Sequence, residues 1–202
     1  GTTEKDQSSG NKKKAAAKTK TANASAKKSA VKKKVNNQLS EIEAAEKTAF
    51  PKTVSPMLAT LVDKPVDEDG WLYEVKWDGY RAIAMCNNNE VELLSRNNKS
   101  FNSKFYPVYD ALKELGLNAV LDGEIAVIND KGISNFGALQ NWRSEADGDL
   151  IYYVFDLLWL DGYNLMNVPL EQRRKLLHEM LPQTDTIRES VNFQTSATDF
   201  LN

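Results

Sequence analysis

A lysine, an aspartate, a glycine and an arginine fall within six positions of the stretch YEVKWDGYRAIA, residues 73–84. They are Lys76, Asp78, Gly79 and Arg81, and apolar runs flank them on both sides. One interpretation is a surface hairpin, because Asp-Gly between apolar runs is a strong turn signal. The other is a reactive lysine followed by an arginine, whose forked cation suits phosphate oxygens. The spacing alone leaves both interpretations open.

A lysine nucleophile must be neutral, whereas a free lysine side chain titrates near about pH 10. Its site must therefore favour the neutral amine through desolvation or neighbouring positive charge. Lys76 ends the apolar run WLYEV and precedes Trp77, and we expect this setting to desolvate it. Gly79 would let the backbone and a bulky substrate approach each other closely.

The elements that must position these residues form a mixed pattern without a regular alternation of strands and helices. Apolar and β-branched runs predict strands over residues 71–76, 80–86, 90–95, 119–130 and 150–160. Apolar spacing and capping residues predict helices over residues 37–50, 104–116, 134–142 and 169–181. This order predicts an α+β domain built on antiparallel sheets.

Charge divides the chain into two parts, although its net charge is only −2. Residues 1–36 carry eleven lysines against Glu4 and Asp6, and they include no aromatic residue. Such a segment buries too little apolar surface to fold, so we predict a disordered Lys/Ala-rich linker over 1–36. Either it binds nucleic acid electrostatically or it is a solvated linker without a specific partner. We then predict a lead-in segment over 37–54 and a folded domain over 55–202.

Two absences narrow the class of protein. No apolar run is long enough to span a bilayer, so we expect a protein without membrane contact, located in the cytoplasm. The single Cys86 excludes an internal disulfide and a multi-cysteine zinc site. We also expect the sequence to be a fragment of a longer protein.

The stretch EVKWDGYRA resembles the active-site motif of the covalent nucleotidyltransferases, and closely that of ATP-dependent DNA ligases, in which the motif lysine is adenylated. Three further segments, LLSRNNKSF, VLDGEIAV and IYYVFDLLWLDG, follow in the order and rough spacing of that family. The resemblance implies an antiparallel-sheet nucleotidyltransferase (adenylation) domain, ATP-grasp-like and here incomplete at its C-terminus. It also implies ATP with Mg²⁺ or Mn²⁺ as cofactors, and DNA nicks or double-strand breaks as substrate.

The resemblance also implies a role for each matching residue. Lys76 would attack the α-phosphate of ATP, and Glu74 would accept the adenine amino group. Arg81 and Arg96 would hold phosphate and ribose oxygens. Glu124 would contact a ribose hydroxyl or ligate the metal.

The aromatic residue of the fourth segment, Phe155, would stack on the base. Each assignment has a structural alternative: Arg96 could be an exposed turn residue, Asp122-Gly123 a turn, and Phe155 a core residue. Asp156, within the same apolar run, is expected to face a polar partner.

The family's later glutamate and lysine-x-lysine motifs are not found before the sequence ends. The basic tail and the wording YYVFDLLWLDG are similar to the bacterial end-joining DNA ligase D group. That similarity implies end-joining repair near the nucleoid, with a Ku-type end-binding protein as partner. Three alternatives stay open: an RNA ligase or capping-type nucleotidyltransferase, a non-catalytic DNA-binding module acting through the tail, and a purely structural domain.

Overall fold

The computed structural model describes residues 31–64, 71–129 and 131–193. Its helices are α1 (residues 31–41), α2 (Tyr106–Leu115), α3 (Phe136–Asn141) and α4 (Leu170–Met180). Its strands are β1 (Glu46–Lys47), β2 (Tyr73–Glu74), β3 (Tyr80–Asn87), β4 (Glu90–Ser95), β5 (Asn118–Val127), β6 (Leu150–Leu160), β7 (Tyr163–Asn164), β8 (Ile187–Glu189) and β9 (Asn192–Phe193).

One sheet dominates the described residues. Its strands follow the order β1-β7-β6-β5-β3-β4, and β8 pairs with β6 beside β7. All neighbours are antiparallel except β6 and β8, which are parallel. Strands β2 and β9 form a separate antiparallel pair. The predicted α+β fold with an antiparallel sheet is confirmed.

Local sequence signals explain where the helices lie. Helix α2 ends at Gly116, which adopts the left-handed conformation (φ 59°) that glycine tolerates best. Helix α3 begins after Asn135, whose side chain accepts a hydrogen bond from the Ala138 backbone N–H. Both helices and both capping regions lie where the sequence predicted them.

Strand β6 forms the centre of the core. Ten of its eleven residues are buried, and the exception is Phe155. An apolar strand of this kind can be covered on both faces, which is why it takes a central place in the sheet. The pairing with β5 is irregular here: Asp122 pairs with Asp156 and Gly123 with Val154, so Phe155 has no partner in β5. Phe155 is thus the extra residue of a β-bulge, a feature that turns a side chain away from the regular alternation.

Gly123 allows β5 to lie against this bulge. A Cβ atom at Gly123 would come within 2.5 Å of the Tyr153 carbonyl oxygen and 2.6 Å of Tyr152 Cε2. The hydroxyl of Tyr152, which is fully buried, donates a hydrogen bond of 2.9 Å to the Ala82 carbonyl. A larger residue at position 123 would therefore displace a side chain that ties β6 to β3.

The N-terminal part of the described chain differs from the prediction. The described part of the helix predicted over 37–50 instead covers 31–41, because Val31, Val35 and Leu39 recur every four residues and continue the helical pattern upstream. The predicted boundary at residue 36 therefore falls inside α1. Residues 1–30, the rest of the predicted disordered tail, lie outside the described residues. The compact unit that contains the sheet begins at Ile42.

None of the helices in the described ranges combines the length and the apolar character that crossing a membrane requires.

We predict that Gly123→Ala lowers the free energy of unfolding by about 1–3 kcal/mol, the usual cost of forcing extra atoms into a packed core. Gly137→Ala in α3 is the matched control, because a Cβ there meets nothing closer than Asn135 Oδ1 at 3.5 Å. The control should leave stability unchanged or raise it by about 0.4–1 kcal/mol. Urea denaturation of both variants measures the difference, and equal stabilities would show that the bulge tolerates a side chain.

Candidate functional site

Lys76 lies in the connection between β2 and β3, and its side chain is exposed. Strand β2 pairs with β9, whereas β3 pairs with β4 and β5. The hairpin interpretation of Asp78-Gly79 is therefore wrong, since the two flanking strands do not pair with each other. The expected desolvation of Lys76 is also absent from the described surroundings. We call residues 75–79 the lysine loop.

Gly79 seats the lysine loop on β5. A Cβ atom at this position would lie 2.1 Å from the Ile125 carbonyl oxygen, so any side chain here would clash with the β5 backbone. The backbone N–H of Gly79 lies close enough to the Glu124 carboxylate to lower its pKa. One residue earlier, the Asp78 N–H donates to Ser134 Oγ at 3.3 Å. The glycine is thus required for contact with the sheet rather than for a turn.

Glu124 lies beside Gly79, since its Cγ would be 3.1 Å from a Cβ atom at that position. It lies on β5 rather than in a turn at Asp122-Gly123. Partial burial raises its pKa from the ordinary value of 4.5 to about 7, although Arg81, the Gly79 N–H and Lys76 oppose the rise. Asp122 on the same strand adds to it through charge repulsion. Glu124 can therefore hold or release a proton near neutral pH, beside the positive charge of Lys76.

Arg81 is paired with a buried carboxylate. Its Nε and Nη2 donate to Asp122 Oδ1 and Oδ2 at 2.9 and 2.7 Å, a bidentate arrangement, and Nη2 also donates to the Met57 carbonyl. Asp122 is fully buried, and this desolvation raises its pKa, whereas Arg81 lowers it. The guanidinium thus has a structural partner, and the predicted phosphate contact of Arg81 stays a prediction.

Phe155 lies close to Arg81. The Arg81 Cζ atom sits 5.2 Å from the centre of the Phe155 ring, within the range of a cation–π contact. The ring is only partly buried, unlike the rest of β6, because it occupies the bulge. An aromatic side chain so placed has surface available for a planar ligand.

The Glu74 carboxylate is held by an arginine of helix α4. Arg174 Nη1 forms an ion pair with Glu74 Oε1 and also donates to the Phe155 carbonyl at 2.9 Å. Burial raises the pKa of Glu74, with Asp156 and Glu189 adding repulsion, while Arg174 lowers it. Glu74 and Phe155 therefore share one arginine.

Five of the six predicted site residues are thus connected by described contacts or by charge: Glu74, Lys76, Arg81, Glu124 and Phe155. The sixth, Arg96, is exposed in the turn that follows β4, where the Asn98 N–H donates to the Ser95 carbonyl at 2.9 Å. No contact within the described ranges links Arg96 to the other five. Its structural setting is the exposed turn that was the alternative interpretation.

Sequence reasoning missed the arginines of α4. Arg173 donates from Nε and Nη2 to Asp156 at 2.7 and 2.9 Å, which supplies the polar partner expected for Asp156. Arg173 and Arg174 are both 5% exposed. Leu177 lies three or four residues later in the same helix. Helical spacing therefore puts both arginines on the apolar face, and that signal could have identified them as buried.

The carboxylates of the site could supply only part of a metal ion's coordination shell. Described residues contain no group of three or more His, Cys, Asp or Glu side chains arranged to hold an ion. Protein-bound Mg²⁺ commonly uses one or two carboxylates and completes its shell with water and substrate phosphates. Asp122 is occupied by Arg81, so Glu124 is the carboxylate here that fits such a partial site.

Comparison with known proteins gives a consistent picture. A family model described as "ATP dependent DNA ligase domain" matches residues 56–202. The chain is 38% identical to the multifunctional non-homologous end joining protein LigD of Pseudomonas aeruginosa, over 77% of this chain and 19% of that protein. It is 34% identical to the protein of the same name from Mycolicibacterium smegmatis, over 67% of this chain and 18% of that protein. The chain thus spans about a fifth of these relatives' length.

Two solved structures of DNA ligase D proteins share this fold. A mycobacterial DNA ligase D complexed with ATP and MES matches with a TM-score of 0.61 and 30% identity, covering 71% of this chain and 48% of its own. The ligase domain of M. tuberculosis LigD matches with a TM-score of 0.55 and 27% identity, covering 63% and 42%.

We predict that Arg81→Ala lowers the free energy of unfolding by about 2–4 kcal/mol, because it leaves the buried Asp122 without its partner. The lower end allows for the 24% exposure of the Arg81 side chain. Arg96→Ala, the matched control in an exposed turn, should change stability by about 0.5 kcal/mol or less. Urea denaturation at neutral pH tests both, and a similar loss in the two variants would contradict the structural role of the Arg81–Asp122 pair.

We predict that Glu124 gives the chain a stability that decreases with pH. Its pKa is higher in the folded state, so the folded chain binds more protons between about pH 4.5 and about 7. The stabilisation is complete below that window and is lost as pH rises through it. Glu124→Gln should therefore gain stability relative to wild type between pH 4.5 and 8. Glu74 and Asp122 titrate in both proteins, so a parallel pH dependence would show that Glu124 has an ordinary pKa.

Proposed function

The chain belongs to the ATP-dependent DNA ligase domain family, and on this premise we propose that it carries the adenylation site of a DNA ligase, with Lys76 as the nucleophile. What supports the proposal most directly is the packing of Gly79 against β5, which brings Lys76 within charge interaction of Glu124. Glu124 also interacts with Arg81, which in turn lies against the Phe155 ring. Phosphoryl transfer depends chiefly on such positioning and on neutralising negative charge.

In the proposed first step, the neutral Nζ of Lys76 attacks the α-phosphorus of ATP. A nitrogen–phosphorus bond forms, the bond from the α-phosphorus to the bridging oxygen breaks, and pyrophosphate leaves with the electron pair. The proton lost from Nζ passes to solvent.

The nucleoside would be recognised by residues that the fold already holds in place. The partly exposed ring of Phe155 would stack on adenine, supported on its flank by Arg81. Glu74 uses Oε1 for Arg174, and its carboxylate would accept a hydrogen bond from the adenine amino group. Arg96 would reach phosphate or ribose from its exposed turn.

Glu124 is also the residue that we propose as a ligand of Mg²⁺, directly or through water. The metal, when bound, would neutralise charge on the phosphates of ATP. Because one carboxylate supplies the protein's share, the remaining ligands would be water and phosphate oxygens.

In the later steps, a DNA 5′-phosphate oxygen would attack the AMP phosphorus and displace Lys76. The 3′-hydroxyl of the neighbouring strand would then attack the 5′-phosphorus and release AMP, which seals the break. The similarity to proteins named for non-homologous end joining supports double-strand breaks as the substrate. A Ku-type end-binding protein is the partner that this role calls for, and the basic segment 1–36 would add contact with DNA.

We predict that Lys76→Ala abolishes covalent labelling of the chain by ATP radiolabelled at the α-phosphate. Wild type and the matched control Lys52→Ala, which removes another exposed lysine, should both retain the label in the presence of Mg²⁺. A denaturing gel measures the label, and its lability in acid identifies a phosphoramide. Label that persists in Lys76→Ala would refute the proposed nucleophile.

The same gel separates the remaining alternatives. Labelling by GTP in preference to ATP would indicate a capping-type enzyme, and transfer of AMP to 5′-phosphorylated RNA but not to DNA would indicate an RNA ligase. A non-catalytic DNA-binding module would take no label. It would bind DNA in a salt-dependent way that survives Lys76→Ala and disappears when residues 1–36 are removed.

A further inference from the structure

The exposed Lys76 side chain has no described hydrogen bond or ion pair, so its position depends on the residues beside it. Those residues are Glu74, two positions before it, and Trp77, directly after it. Each forms a hydrogen bond to a residue one hundred or more positions away in the sequence.

Ser190 is the residue that both connections reach. It follows β8, is 1% exposed, and uses all three of its polar groups. Its N–H donates to the Val154 carbonyl at 2.8 Å, its carbonyl accepts from Arg174 Nη2, and its Oγ accepts from Trp77 Nε1 at 3.0 Å. A buried serine whose backbone groups and hydroxyl each have a defined partner fixes geometry more tightly than a solvated one.

Arg174 extends the connection to Glu74. Its guanidinium bridges the Ser190 carbonyl, the Phe155 carbonyl and the Glu74 carboxylate, and Glu189 lies 3.8 Å from Nη2. Because the planar fork of arginine presents its donors in fixed directions, moving Ser190 would move Glu74 as well.

Trp77 is fixed in two ways. Its ring stacks on Tyr153 with centroids 3.6 Å apart and planes 5° from parallel. Its indole N–H points to Ser190 Oγ. The stack sets the plane of the ring, and the hydrogen bond sets its rotation within that plane.

We infer that Ser190 is a positioning residue for Lys76, acting through Trp77 on one side and through Arg174 and Glu74 on the other. The inference rests on the proposed function, since it assigns Ser190 a part in adenylation without contact to the reacting atoms. A residue of this kind affects the rate at saturating substrate more than substrate affinity, because it changes the alignment of the nucleophile.

The test compares Ser190→Ala, Trp77→Phe and the double variant in the full chain. Ser190→Ala removes the acceptor and keeps the carbonyl that Arg174 uses, while Trp77→Phe removes the donor and keeps an aromatic ring against Tyr153. Trp142→Phe is the matched control: it removes an indole hydrogen bond of 2.8 Å, to the Gly148 carbonyl, that does not involve the lysine loop.

Two measurements are made on each variant: the rate of self-adenylation as a function of ATP concentration, and amide hydrogen exchange over residues 75–79. Each single variant should lower the rate at saturating ATP about fivefold, the effect of one neutral hydrogen bond. The half-saturating ATP concentration should stay within about twofold. The double variant should be no slower than either single one, because both remove the same bond. Exchange over 75–79 should be faster in all three than in wild type and Trp142→Phe.

Other outcomes overturn the inference. They are wild-type rates in Ser190→Ala, independent losses that multiply in the double variant, or an equal loss in Trp142→Phe, which would reflect general destabilisation. If folded wild type takes no label at all, the proposed function of this chain fails instead. Hydrogen exchange then decides separately whether Ser190 holds the loop: unchanged exchange in Ser190→Ala overturns that role, and faster exchange retains it.

Discussion

Burial of carboxylates at the centre of a sheet is the constraint on which this structure depends. Asp122 on β5 and Asp156 on β6 pair with each other in the strand register, and both are buried. Leaving a buried carboxylate unpaired would lower the stability of the fold by roughly several kcal/mol, so each carboxylate needs a cation of matching shape. Arg81 from β3 supplies one and Arg173 from α4 supplies the other. The first pair ties β3 to β5, and the second ties α4 to β6.

Arg174, the next residue along α4, connects these buried ion pairs to the candidate site. Once Arg173 is committed to Asp156, Arg174 is held beside it on the same helix face, where it meets Glu74, Phe155 and Ser190. Strand β2, which is only two residues long, gains a fixed position in this way, although within the described ranges it pairs with β9 alone. Two residues of backbone pairing hold β2 only weakly, so the Glu74 side chain holds it in place through Arg174.

Sequence reasoning located the elements well where local signals decide them, as at Gly116 and Asn135, and where apolar runs are long, as in β6. It predicted the site residues from a motif and not from geometry. The bulge at Phe155 could not be predicted, because it arises from the register between β5 and β6. The seat of Gly79 on the Ile125 carbonyl is equally a property of packing. The alternative of a hairpin at Asp78-Gly79 is wrong because long-range strand pairing outweighs the local signal.

The exposure of Lys76 bears on how the proposed reaction would start. A lysine nucleophile must lose its proton, and the described residues around Lys76 offer it a carboxylate, Glu124, rather than a desolvated pocket. Burial raises the pKa of Glu124 to about 7, so this carboxylate is close to protonation at neutral pH. Nucleotide bound over Phe155 would exclude water from the same space, and this desolvation would favour the neutral amine that the attack requires. On this account the chain prepares the geometry of Lys76 in advance, and the substrate completes its activation.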